Sequence, residues 1–221
     1  MSETLGKIEK PESKEFKKGR KLFFVPLVFT PLEIEPEFLE IIKRYWEQVN
    51  EHLAMLEEKL AKANRVYHEL LAQSKEEGLK NLEKMNPDSQ AVVKKRVANG
   101  AELEALEDSP LLNEFMDWGR CLAIGLTSEK AFTTVYNSYL EAQKKRNEIV
   151  SRRIAETLKE DETGILFMRE GHQIQFPSDI QIFYVSPPAL DDLRRWLRDH
   201  EAASHKHEQE HEHQHEEEKK E

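Results

Sequence analysis

An α/β domain built on a mainly parallel sheet and flanked by long helices is the fold class this chain predicts, and three observations carry it. Short apolar runs alternate with long stretches of helical periodicity between residues 21 and 199. The runs around Leu22 and Ile165 are apolar almost throughout, as expected of strands covered on both faces. Capping and turn residues (Pro36, Asn86-Pro87, Asn99-Gly100, Ser109-Pro110 and Gly125) separate the segments at the points where helices start and stop.

The first element is the apolar strand Lys21–Phe29, in which Pro26 predicts an edge position or an early end, because proline donates nothing to a ladder. Pro36-Glu37 opens a helix to about Lys62, with Phe38, Ile42, Tyr45, Val49, Leu53, Leu56 and Leu60 at helical spacing. Arg65–Glu69 reads as a short strand, followed by helices at about Lys75–Lys84 and Ser89–Ala98. Asn99-Gly100 caps the latter, and Ala101–Leu106 alternates like a strand. Ser109-Pro110 starts a helix to about Ile124; Thr127 or Ser128 caps another to roughly Glu160. The strands Gly164–Met168 and Ile180–Val185 follow, and Ser186-Pro187-Pro188 leads into an amphipathic helix with Leu190, Leu193, Trp196 and Leu197. Only about ten residues separate the last two strands, too few for a comfortable helical crossover, so an antiparallel hairpin at one edge is expected.

The domain therefore spans residues 21–199. Residues 1–20 form a flexible basic arm; through Lys21 the chain carries seven Lys or Arg against four Glu. Residues 200–221 form a disordered His/Glu-rich tail with eight Glu and three Lys, half of the net charge of −10. The body is not basic enough for nucleic acid, and no apolar segment is long enough to span a membrane. The single cysteine, Cys121, excludes an internal disulfide and sits in a helical apolar pattern, as a buried inert thiol would. A cytoplasmic protein is the expectation, with oligomeric state left open.

Ligands in parallel sheets collect beyond the carboxyl ends of the strands. Those ends read Phe29-Thr30, His68-Glu69, Glu107-Asp108 and Glu170-Gly171-His172. Solvated loop starts explain single charges there; a convergent acidic and imidazole site explains their recurrence. His68 and Glu69 point to opposite faces, and Glu69 is the better site residue, with His68 packed. On the long helix before Gly164 an inward stripe runs through Phe132, Tyr139, Arg146, Val150 and Ile154. Counting rise per residue brings Arg146 level with Glu170 and His172. An arginine there either snorkels to solvent or orients a carboxylate or an anionic ligand. The expected site is thus Glu69, Arg146, Glu170 and His172. Glu69, Glu170 and His172 could ligate a divalent ion (Zn, Mn, Co or Ni) or work as acid and base. No GxGxxG, P-loop, CxxC or HExxH motif occurs. The tail histidines His205, His207, His211, His213 and His215 would bind metal weakly and with variable geometry.

The stretch Tyr139–His172 resembles the C-terminal signature of the TraB/PrgY-like family, which is related to the ChaN and erythromycin-esterase proteins. The residues that carry this are Arg146-Asn147, Ile149, Ile154, Leu158, Ile165-Leu-Phe167 and Gly171-His172, with Val66-Tyr-His-Glu69 matching a strand that ends in glutamate. The resemblance implies a hydrolase of esters or amides, some members being metal-dependent, or a binding protein on the same scaffold for a small molecule or peptide. It assigns site roles to Glu69, Arg146 and His172, with Glu170 beside them. The family's first strand usually ends in Gly-x-x-His, whereas here it runs into Phe29-Thr30.

Overall fold

The structure, a computed structural model, describes residues 18–30 and 35–200. Five strands form one sheet: β1 (Arg20–Pro26), β2 (Arg65–His68), β3 (Glu102–Leu103), β4 (Thr163–Met168) and β5 (Ile180–Tyr184), in the order β3-β2-β4-β1-β5. Every pairing is parallel. The expected antiparallel hairpin is therefore absent. The chain from Arg169 to Asp179 passes β1 without forming a helix and adds β5 to its far side, with Phe23 opposite Phe183. An irregular link replaces the helical crossover, which is why its length misled.

Pro26 is likewise not on an edge strand, since β1 lies between β4 and β5. It closes the strand, the early end expected as the other alternative. The Leu27 N–H bonds to Met168 O at 2.9 Å, while Phe24 O accepts from Val185 N at 2.8 Å. Alternation along the strand turns Pro26 toward β5, where paired residues have run out at Tyr184, so its missing donor costs nothing.

Five helices lie between the strands: α1 (Pro36–Lys59), α2 (Lys75–Met85), α3 (Pro87–Ala98), α4 (Ser109–Ala123) and α5 (Glu129–Thr157). A sixth, α6, covers residues 188–200. Asn86 caps α3 by accepting from Ser89 N at 2.9 Å, and Asp108, not Ser109, caps α4 through Leu111 N at 3.1 Å. Ser128 caps α5.

Strand alternation sorts the core. Phe23, Val25, Val66, Ile165 and Phe167 face one side, where α1, α3 and α6 cover them with Tyr45, Val49, Val93 and Leu190. Leu22, Phe24, Tyr67, Leu166 and Met168 face the other, covered by Val150 and Ile154 of α5, by Leu158 at its C-terminal cap and by Ile174 of the β4–β5 link. The second face is held by the C-terminal half of α5; the N-terminal half pairs with α4 beyond the sheet. That is why Phe132, expected inside, is 47% exposed, and why Cys121 is only half-buried.

Gly164 is closely packed on the second face. A Cβ there would lie 3.0 Å from both Leu22 Cδ1 and Tyr67 Cε2. Gly164→Val is expected to lose about 1–3 kcal/mol by overpacking, read as a lower urea midpoint at unchanged m-value, with Gly164→Ala losing less.

Candidate functional site

The strand order itself creates a crevice. From β2 the chain leaves toward β3, and from β4 it leaves in the opposite direction toward β5, yet β2 and β4 are neighbours. Their carboxyl ends thus flank a topological switch point, the usual ligand position in open parallel sheets. Glu69 directly follows β2, Arg169 follows β4, and Glu107 lies just past β3.

A backbone turn aims these groups. Leu70 takes φ +67°, a left-handed conformation unusual for a bulky residue, and its N–H points to Glu107 Oε1 at 3.3 Å. Leu71 O accepts from both Leu106 N and Glu107 N at 2.9 Å, tying the end of β2 to the chain leaving β3. Arg153 of α5 adds donation to Ala105 O at 3.2 Å and to Glu107 O.

Arg146 stands at the centre. Its Nε donates to Glu107 Oε1 and Oε2 at 3.0 and 2.9 Å, and its Nη2 to Glu107 Oε1 and, at 3.1 Å, to Glu69 Oε1. All three side chains are buried. The Phe115 ring from α4 lies 5.2 Å beneath the guanidinium. Arg169 closes the other side of Glu69, with Nε and Nη2 on Oε1 at 3.1 and 3.0 Å and the backbone N–H on Oε2 at 2.8 Å. Burial alone would push the Glu69 carboxyl up, but the bonds and charge of Arg169, joined by Arg146, hold it below the usual glutamate range. Burial likewise works against the Arg146 charge, and Glu107 and Glu69 more than offset it.

Above this network lies a cavity of about 200 Å³. Glu69, Arg146, Glu170 and His172, the four expected site residues, all line it, together with Phe115, Tyr139, Asn147 and Arg169. Glu170 is turned aside, its carboxylate held bidentately by Arg194 of α6. The His172 ring lies tilted against Phe24, at 5.0 Å, and edge-on to Phe176, at 5.6 Å, and its Nδ1 accepts from Ile174 N at 3.3 Å. Burial lowers its pKa against the pull of Glu69, so the ring is neutral at pH 7. With Nδ1 accepting, the proton sits on Nε2 and the free nitrogen is a donor.

As arranged, both Glu69 oxygens and both Glu170 oxygens already accept from arginines or backbone. A divalent ion at the expected triad would have to displace them, and among the described residues no group of three or more His, Cys, Asp or Glu is set to hold a metal. His205, His207, His211, His213 and His215 lie outside the described residues. Among the described residues, no helix is long and apolar enough to cross a membrane.

The sequence does not single out Arg169, which directly precedes Glu170-Gly171-His172, and it offers Glu107 only as one of the charged strand ends. Two acidic strand ends facing one buried arginine leave Glu69 needing a second cation, and that balance was the available signal. His68, read as packed, is fully buried, bonding Glu69 O at 2.7 Å and Ser89 Oγ at 3.0 Å.

No family model, curated protein or solved structure matches this chain.

Proposed function

We propose that the protein binds a small acceptor-rich molecule, a carboxylate or phosphate, in the cavity at the switch point. The observation that carries this is an imbalance of hydrogen-bonding groups. Every carboxylate oxygen of Glu69, Glu107 and Glu170 is already accepting. The donors are not used up. Among the described residues, Nη1 of Arg146 and of Arg169 meets no acceptor, and His172, with its Nε2–H donor, lines the same cavity with Asn147 and Gln143, whose side chains carry amide donors. Arg146 is fixed by Glu107, while the Arg169 side chain is 52% exposed and held by Glu69 alone, so it can meet a ligand without unfolding anything. A planar guanidinium suits a carboxylate or phosphate oxygen, and the site needs no reacting base to bind one.

The test is ligand-induced stabilisation at constant ionic strength, with inorganic phosphate, acetate and citrate as probes. At a hundred times its Kd, a true ligand stabilises by about 2.7 kcal/mol. We expect at least one anion to raise the melting temperature saturably, and Arg169→Gln to remove that increment. Equal, unsaturated responses to all three anions and to chloride would end the proposal.

A second reading is hydrolysis of an ester or amide, as the TraB-like resemblance implies. It is supported by the common lining of one cavity by Glu69, Arg146, Glu170 and His172. Against it stand the engaged carboxylates and the missing first-strand histidine. Turnover of ester and amide panels, with and without Zn²⁺, Mn²⁺ or Co²⁺, separates the two. Activity that disappears in His172→Ala would favour hydrolysis over plain binding.

A further inference from the structure

The α4–α5 hairpin is the least covered part of the fold. α4 is held chiefly by α5, and the rings of Phe115 and Tyr139 stack between them at 4.9 Å. Of residues 109–141 only Phe115 is fully buried. Five of the ten large apolar side chains exposed on the described residues fall here: Met116, Ile124, Phe132, Tyr136 and Leu140. Ile124 is 75% exposed, and Phe132, Tyr136 and Leu140 repeat every four residues along one stripe of α5. The Phe132 and Tyr136 rings already stack at 5.7 Å.

This surface also lacks charge. In a chain that is 34% charged, residues 121–140 contain two charged side chains, Glu129 and Lys130. An ordinary solvated helix pair would carry charge on its outer faces. A hairpin with one buried aromatic between its helices, and an apolar stripe outside, is half of a helical bundle.

We infer that the stripe is covered by the same stripe of a second copy, giving a two-fold dimer through a four-helix contact. Two features single out a second copy. Residues 109–145 carry four acidic and four basic side chains, so this is a neutral face on a chain of net charge −10, where two copies meet without the repulsion their other surfaces carry. Composition disfavours the chain's remaining segments as the cover: eight of residues 1–17 are charged, residues 31–34 are four, and residues 201–221 hold no apolar side chain larger than alanine. A stripe related to itself by a two-fold axis is self-complementary, as isologous contacts are. Phe115 and Tyr139 both line the switch-point cavity, so the dimer braces one wall of that site.

The test is sedimentation velocity of the full chain across a range of concentrations. The expected species has twice the 25.9 kDa of one chain. Phe132→Glu/Tyr136→Lys should convert it to a monomer with an unchanged far-ultraviolet dichroism spectrum. Should that variant fail to fold, Leu140→Lys alone must weaken association at least tenfold. Tyr184→Lys, on the exposed edge strand β5, should leave the dimer intact. A wild-type chain that stays monomeric overturns the inference, including one that instead binds lipid vesicles or another protein. So does a dimer that survives the hairpin substitutions or is broken by Tyr184→Lys.

Discussion

Arg146→Met loses about 3–5 kcal/mol of folding stability, because it leaves Glu107 and Glu69 buried with their shared cation gone. Methionine roughly fills the volume, so the loss reports the stranded charge more than a void. Glu107 takes most of it: both its oxygens accept from Arg146, and the other donor to its carboxylate is the Leu70 N–H. Glu69 keeps Arg169. The double variant Arg146→Met/Glu107→Gln should therefore recover a large part of the loss, a non-additivity that urea titrations read directly. A single variant within about 0.5 kcal/mol of wild type would match an ordinary surface substitution and mean the guanidinium is not buried between the carboxylates.

The second large effect is on acid stability. Burial drives the His68 pKa down from the ordinary 6.5 to about 4, with its bond to Glu69 O and the Glu69 charge opposing. The folded state holds this imidazole neutral, while the unfolded chain protonates it below pH 6.5. The unfolded state thus binds more protons in this window, so stability falls as pH drops from about 6.5 to about 4, by roughly 3 kcal/mol. Glu69, held below its usual range, adds a further loss as pH falls below about 4.5. Denaturant midpoints taken at fixed protein concentration across pH 7 to 4 should show the upper slope in wild type. His68→Met should be less stable at pH 7 but lack most of that slope. An identical slope in both proteins would place the responsible group elsewhere.

The fold was legible where local chemistry and tertiary demand agree. Apolar strands, Pro36, Asn86 and Gly125 all mark boundaries that the structure keeps within a few residues. The misreadings came from information that is not local. Pro26 does bring the early end that was one of its two expected effects, but that it sits on an interior strand, harmless because β5 stops short, depends on a segment over 150 residues away. The β4–β5 link looked too short for a parallel crossover because such crossovers are usually helical, and this one is irregular. Phe132 matched the inward spacing of α5, but periodicity cannot say that the sheet ends before the helix does. At the site, helical rise brought Arg146 level with the strand ends. Its true partner, Glu107, required knowing that β3 sits beside β2.

The unused donors at the switch point are expected to meet one anion together. The direct measurement is a nuclear magnetic resonance titration of isotope-labelled arginine and histidine side chains with inorganic phosphate at constant ionic strength. The guanidinium signals of Arg146 and Arg169 and the ring of His172 should move along one saturating curve, while exposed Arg120 stays fixed. Shifts that grow linearly and in parallel at Arg120 and Arg169, with Arg146 and His172 unmoved, would contradict that expectation.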